Sequence, residues 1–367
     1  MVFFSSCTAP SVSLQDIQRA REKLSEAEQQ SIRNDLFGVA PPSNSLTDAP
    51  RLPESQRLQE LETYIETVPI ADKQAYLTAL RECPDVIQRE SNPVSYVRAH
   101  GTVEAAATSL LHYWKLRQQV LGAPRAFRPL SLVDAQEQQA YSRGIVRHTG
   151  YDKAGRAVVV FDPAAVYGLS QRNNLAHICI LYEFARLATM SDSSHDTTTT
   201  TTTTTTQTGY VGIIHSAKRR LEMYDRRGSK LSIALCRAVP LRLMALHDVG
   251  RHTSVVRQLI LEASLFLLGP VLQQRYVLHP SSSAECQSLS ETCRVLENVY
   301  GIPSHSLPLE WRGPSLASAT TITTATTTAT NLAHDESATE QSHLGQEHRT
   351  SCQTTGVILE NISTLIQ

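Results

Sequence analysis

Apolar residues recur at helical spacing through the first third of the chain. The spacing predicts one helix from Ser13 to about Phe37, with Ser13 and Asp16 forming a capping box at its start. Residues 38–53 hold four prolines and predict a linker. Further helices are predicted over residues 54–68, 71–83 and 102–120. We therefore expect an N-terminal helix and linker over residues 1–53, then an all-helical subdomain over residues 54–130.

The pattern changes after residue 131, where short runs become almost continuously apolar. Such runs are typical of strands covered on both faces, and they occupy residues 157–161, 210–214, 242–249 and 275–278. Helical patterns fill residues 173–190, 229–238, 252–268 and 285–299. This alternation predicts an α/β domain over residues 131–314, with a mixed, largely parallel sheet covered by helices.

Two segments have the composition of disordered chain. Residues 197–206 are ten consecutive threonines, and residues 315–367 are rich in Thr, Ser and Ala. Uniform polar tracts bury too little apolar surface to offset the entropy lost on ordering. We predict a disordered loop insertion at 197–206 and a disordered tail.

Composition and charge narrow the function classes. A formal net charge of −1 lacks the basic excess expected of a nucleic-acid binder. Seven cysteines without a C-x-x-C pair favour a reduced compartment over a disulfide framework. No segment is apolar enough to span a bilayer, and the N-terminus lacks the basic region of a signal peptide. The expectation is a soluble, cytoplasmic, monomeric protein that lies at most peripherally on membranes.

Candidate chemistry is sparse. Phosphate-binding loops, dinucleotide fingerprints, nucleophile elbows and H-E-x-x-H are all absent from the sequence. His247, Asp248 and His252 follow a predicted strand, where they suit a metal site, proton transfer or simply a strand end and helix cap. The structural interpretation is favoured because no third metal ligand lies at useful spacing. No catalytic residue, metal ion or cofactor is predicted.

The most unusual feature is the apolar segment 252–268. Its first half has a polar and an apolar helix face, and it runs into Leu265-Phe266-Leu267-Leu268. It is too short to cross a membrane. A helix of this kind covers a hydrophobic cavity, lies in a membrane interface or simply covers a sheet.

Six segments in this order resemble the CRAL-TRIO lipid-binding family. They are Tyr96-Val97-Arg98-Ala99, Tyr113-Trp114-Lys115-Leu116-Arg117, Tyr151-Asp152-x-x-Gly155-Arg156-x-Val158, Val239-Pro240-Leu241-Arg242-Leu243, Leu267-Leu268-Gly269-Pro270 and Leu307-Pro308-x-Glu310-x-x-Gly313. Two departures are His215-Ser216-Ala217-Lys218, where the family has D-x-x-G, and the threonine insertion. The basic positions of the phosphatidylinositol-transfer branch correspond to His100, Gly101 and Leu265, so the resemblance does not imply inositol-lipid specificity.

The resemblance implies a pocket for one hydrophobic molecule between the sheet and a mobile gate helix. Its lining would come from the gate helix (Val255, Leu259, Ala263, Phe266, Leu267), from a wall helix (Ile178, Tyr182) and from the sheet floor (Phe161, Ile213, Leu243, Ala245). The implied ligand is a phospholipid, a sterol or a similar molecule, exchanged at a transient membrane contact without catalysis. Two alternatives stay open: a protein-recruiting or regulatory module with a vestigial pocket, and an enzyme that uses the residues around His247.

Overall fold

A computed structural model describes residues 12–38, 52–166, 169, 172–192, 209–216, 225–250, 255–280 and 289–311. These segments all fall within one compact unit that spans residues 11–313. The threonine run 197–206 and the tail 315–367 lie outside the described residues, so the disorder predicted for them stays a prediction.

The N-terminal segment is two helices, α1 (Leu14–Glu22) and α2 (Glu26–Phe37), where the sequence pattern predicted one. The predicted capping box of Ser13 and Asp16 is confirmed. Ser25 forms a second capping box with Glu28 and starts α2. A capping box satisfies the first free N–H groups of a helix, so the box at Ser25 marks the start of a second helix.

The helical segment has α3 (Glu54–Thr67), α4 (Ile70–Glu82), α5 (Pro84–Glu90), α6 (Pro93–Ala99), α7 (Val103–Leu121), α8 (Ala123–Ala126) and α9 (Ala135–Ser142). The central helix is α7, which packs against α3, α4 and α6 and buries Trp114 completely. The sequence prediction missed α5 and α6 because both are only two turns long. Each begins with proline, which suits a first turn because it has no N–H to satisfy. The subdomain boundary at residue 130 stays a prediction, since one hydrophobic cluster runs from Leu61 to Leu241.

Five strands form one sheet in chain order: β1 (Val146–Tyr151), β2 (Ala157–Phe161), β3 (Tyr210–His215), β4 (Leu243–Gly250) and β5 (Tyr276–Pro280). Strands β2 to β5 are parallel, which confirms the largely parallel α/β sheet, and β1 is antiparallel to β2. Strand β1 was missed because it is mostly polar and half-buried at the sheet edge. The turn at Asp152–Gly155 therefore joins β1 and β2 into a hairpin.

The connecting helices are α10 (Arg172–Asp192), α11 (Arg226–Ala238) and α12 (Val255–Gln273), and α13 (Leu289–Tyr300) follows the last strand. Strands β2 to β5 are added in one direction, so right-handed crossovers place α10, α11 and α12 on the same side, here called the first face. The second face is covered by α2 and α13, whose Ile32, Leu36 and Leu296 pack on the sheet.

Candidate functional site

Helix α12 lies on the first face with one stripe of leucines turned inward. The buried stripe consists of Leu261, Leu265, Leu268 and Leu272. These side chains pack with Leu246 of β4 and Tyr276 of β5. On the same helix Phe266 is 40% exposed and Val271 is 62% exposed. An amphipathic surface helix would turn polar residues outward at these positions, whereas α12 presents apolar side chains both to the sheet and to solvent.

The C-terminal end of α12 is fixed by hydrogen bonds from its neighbours. Gly269 interrupts the helix with a φ of +69°, just before Pro270. The guanidinium of Arg237 on α11 donates to the carbonyl of Leu268. A Cβ at position 269 would approach Arg237 Nη2 to 2.8 Å. The positive φ therefore favours glycine here, whereas Arg237 Nη2 ends a flexible side chain that could shift. The kink anchors one end of α12 while the rest of the helix lies on the sheet.

The predicted sheet floor is split between the two faces. Phe161 and Leu243 lie on the first face, and Leu243 also packs with the leucines of α12. Ile213 and Ala245 lie on the second face, packed with residues of α2 and α13. Their assignment to a pocket under α12 is corrected. Alternate strand residues point to opposite faces, and only the strand register shows which set faces the helix.

The predicted gate-helix residues do not form the buried stripe. Phe266 is exposed, and Ala263 and Leu267 are half-buried. Val255 and Leu259 lie in α12, but their side chains are outside the part of the chain that the structure describes. Phe266 therefore lies outside the buried stripe, and its part in a pocket stays a prediction. From Ala263 to Leu272 the only polar side chain is Ser264, so the sequence pattern does not select one side of this part of the helix.

The predicted wall helix α10 lies at the other end of the sheet. It packs against β1 and α9, and α11 contacts both α10 and α12. Ile178 is buried, while the ring of Tyr182 stands edge-on to Tyr141 of α9 with ring centroids 5.1 Å apart. Of the predicted strand and wall residues, the structure therefore brings Leu243 to the leucine stripe of α12.

A buried polar pair lies on the first face, and the sequence did not predict that its two residues meet. The hydroxyl of Tyr276 donates to Asp248 Oδ2 over 2.7 Å, and both residues are buried. Tyr276 also belongs to the hydrophobic cluster under α12. This pair places a hydrogen-bonding group beside an otherwise apolar surface, which is how hydrophobic-ligand sites orient the polar end of their ligands.

Histidines meet on the second face of the sheet. The Nδ1 of His247 and the Nε2 of His279 are 2.9 Å apart, and the ring of Tyr300 stands edge-on to both. Asp248 is the next residue in β4 and points to the first face, so the structure separates the His247–Asp248 pair considered for catalysis. His252 lies outside the described residues. Among the residues that the structure describes, no group of three or more His, Cys, Asp or Glu is arranged to hold a metal ion.

Burial makes the histidine pair sensitive to acid. Desolvation lowers the pKa of His279 to about 4, and desolvation with the neighbouring His279 lowers the pKa of His247 well below its usual value. Below the ordinary pKa of 6.5 the unfolded chain takes up protons that the folded chain resists. Stability should therefore fall as the pH drops from about 6.5 towards 4, and His279 alone should account for about 2 kcal/mol at pH 5.

Urea unfolding at pH 7 and pH 5 checks this prediction. His279→Gln keeps a hydrogen-bonding group next to His247 but removes one titration, so its loss of stability between the two pH values should be about 2 kcal/mol smaller than that of the native chain. Equal losses in both proteins would show that His279 takes up its proton without resistance.

The comparisons with known proteins identify no family for this chain. A scan against protein-family models gives no match to the chain, and a search of the curated proteins gives no significant match. Within the described segments, no helix is long and apolar enough to cross a membrane.

Proposed function

We propose that this chain binds one hydrophobic molecule, such as a phospholipid or a sterol, between α12 and the first face of the sheet and exchanges it with membranes. The observation that carries the proposal is that α12 presents apolar side chains both to the sheet and to solvent. Its leucine stripe rests on β4 and β5, while Phe266 and Val271 on the same helix face solvent. The resemblance of six sequence segments to the CRAL-TRIO family agrees with this interpretation.

The chain's own residues supply a path for exchange. The Gly269–Pro270 kink, held by Arg237, anchors the C-terminal end of α12, so the remainder of the helix swings about that point. At a membrane, Phe266 enters the interface beside Val271 of the anchored end, and Leu261 and Leu265 of the leucine stripe separate from Leu246. An acyl chain then takes the place of the leucine stripe, since burying each methylene contributes about 0.8 kcal/mol. The Tyr276–Asp248 pair is the polar group within reach of the ligand's polar end.

Phe266→Asp tests this function, because it places a charge where the membrane contact is proposed. Side chain 266 is exposed, so the fold should keep most of its stability, while the carboxylate resists entry into an apolar interface. Transfer of a fluorescent phospholipid between vesicles should fall at least about tenfold, and thermal unfolding should change little.

Gln258→Asp is the matched control, because Gln258 is an exposed polar residue on the same helix. It should transfer lipid like the native chain. Native mass spectrometry of the purified protein should show a bound lipid in both variants. A native chain that carries no lipid and transfers none would contradict the proposal, and normal transfer by Phe266→Asp would move the membrane contact away from α12.

A second candidate is a protein-recruiting or regulatory module with a vestigial pocket. The dense packing of the leucine stripe on β4 and β5 favours it, since Leu265 is completely buried by other side chains of this chain. In that case Phe266 and Val271 would contact a protein partner. A protein that purifies free of lipid, together with a partner whose binding is lost in Phe266→Asp, would decide for this candidate.

A further inference from the structure

Three arginines converge at the amino ends of the parallel strands. Arg156, Arg242 and Arg275 are each the residue immediately before a strand, namely before β2, β4 and β5. The first residue of each of these strands points to the first face. Strand alternation therefore directs all three arginines to the second face. Arg242 and Arg275 are the first residues of predicted strands and Arg156 directly precedes one, but this pattern alone does not show that the three side chains meet.

The C-terminal end of α2 occupies the space between these arginines. Asp35 Oδ2 accepts hydrogen bonds from Arg242 Nη2 at 2.9 Å and from Arg275 Nε at 2.7 Å, and lies 2.6 Å from Arg275 Nη2. The backbone carbonyl of Asp35 accepts from Arg156 Nη1. A carboxylate and the negative end of a helix dipole thus fill an arginine-lined site, as a bound anion would.

Asp35 satisfies this site only in part. Asp152 pairs with Arg156 Nε and also accepts from backbone N–H groups of its own turn, so Asp35 is left to neutralise Arg242 and Arg275. Arg156 Nη2 is buried without a hydrogen-bond partner among the described residues. Asp35 Oδ2 alone takes the bonds from both arginines, although guanidinium groups favour pairing with two oxygens. The side chain of Arg242 is 48% exposed, so the cluster is open to solvent on one side.

We infer that Arg156, Arg242 and Arg275 form a binding site for a phosphate-bearing anion, and that Asp35 of α2 is the internal ligand that occupies it. A phosphate group offers three oxygens and up to two negative charges, so each arginine would receive its own acceptor. The occupant is tethered, so it competes at a high effective concentration. An external anion must displace the end of α2, and with it the packing of Ile32 and Leu36 on the sheet.

Displacement of α2 would also affect α12, because α1, the other helix of the N-terminal segment, contacts α12. Ile17 of α1 is buried against the leucine stripe of α12. Arg21 donates to the carbonyls of Gln274 and Tyr276 at 3.0 and 2.9 Å. Loss of the Asp35 contacts therefore loosens residues 12–38, and α1 within this segment lies against α12. The anion site itself does not depend on lipid binding.

The test uses Asp35→Asn and inorganic pyrophosphate in calorimetric titration. The substitution keeps the shape of the side chain and removes the competing charge, so it should bind pyrophosphate at least about tenfold more tightly than the native chain. Glu22→Gln, which makes the same charge change at an exposed position of α1, should bind like the native chain. Adding Arg242→Gln to Asp35→Asn should abolish the gain. Unchanged binding in Asp35→Asn, or tight binding that survives Arg242→Gln, would overturn the inference.

Two further measurements complete the experiment. Binding to phosphatidylcholine vesicles with and without phosphatidic acid shows whether the site also accepts the phosphate of a lipid headgroup. If Asp35→Asn binds neither pyrophosphate nor the vesicles that contain phosphatidic acid, the proposed site is overturned. If Asp35→Asn does not fold, the amide hydrogen exchange of residues 14–37 in the native chain tests the site instead. Pyrophosphate should accelerate that exchange relative to sodium chloride of equal ionic strength, and equal exchange in both salts counts against the site.

Discussion

Replacing Arg117 with methionine is expected to lower the free energy of unfolding by about 3–5 kcal/mol, because it leaves a buried carboxylate without its partner. Arg117 is fully buried in the helical segment. Its Nη1 donates to Glu90 at 2.6 Å and to the Tyr113 hydroxyl at 2.9 Å, and its Nε donates to the carbonyl of Ala126 at 2.7 Å. One side chain therefore ties α5, α7 and α8 together.

Urea unfolding of a double-mutant cycle measures this expectation. Arg117→Met combined with Glu90→Gln should cost less than the sum of the two single changes, because the double variant no longer buries an unpaired charge. Arg81→Met is the control, since the Arg81–Glu82 pair is solvent-exposed and should contribute less than about 1 kcal/mol. A loss from Arg117→Met as small as that of the control would mean that water reaches Glu90.

Leu265→Ala is expected to destabilise the protein by about 2–5 kcal/mol, because it leaves a cavity in the leucine stripe. Leu265 is completely buried against the first face, and its neighbour Phe266 is 40% exposed. Phe266→Ala removes a larger side chain from the adjacent position, yet it should cost much less, since part of that side chain already contacts water. The two substitutions therefore test the rotation of α12 about its own axis.

Thermal and urea unfolding of both alanine variants provide the measurement. The expected order is a large loss for Leu265→Ala and a small one for Phe266→Ala. The reverse order would mean that Phe266 faces the sheet, as the family resemblance implied. Added phospholipid should raise the melting temperature of Leu265→Ala more than that of the native chain if an acyl chain fills the vacated space, since ligand that binds only the folded state stabilises it.

Much of the secondary structure follows from local chemistry. The apolar runs of β2 and β3, the helical spacing of α7 and the capping box at Ser13 are readable because neighbouring residues specify them. The misses have equally local causes. Strand β1 is half-exposed and polar at the sheet edge, and Ser25 divides a helical pattern that apolar spacing alone presents as continuous.

The sequence by itself determined the α/β class, the parallel strands β2 to β5 and the apolar character of α12, because these depend on residue type and spacing along the chain. Only the tertiary structure decided which side of α12 faces the sheet and which face Ile213 and Ala245 occupy. The C-terminal half of α12 is almost entirely apolar and the central strands are apolar on both faces, so neither carries a periodic signal that selects one side. The meeting of Asp35 with Arg242 and Arg275, more than two hundred residues away, also comes from the fold, since strand order and chain crossing bring these side chains together.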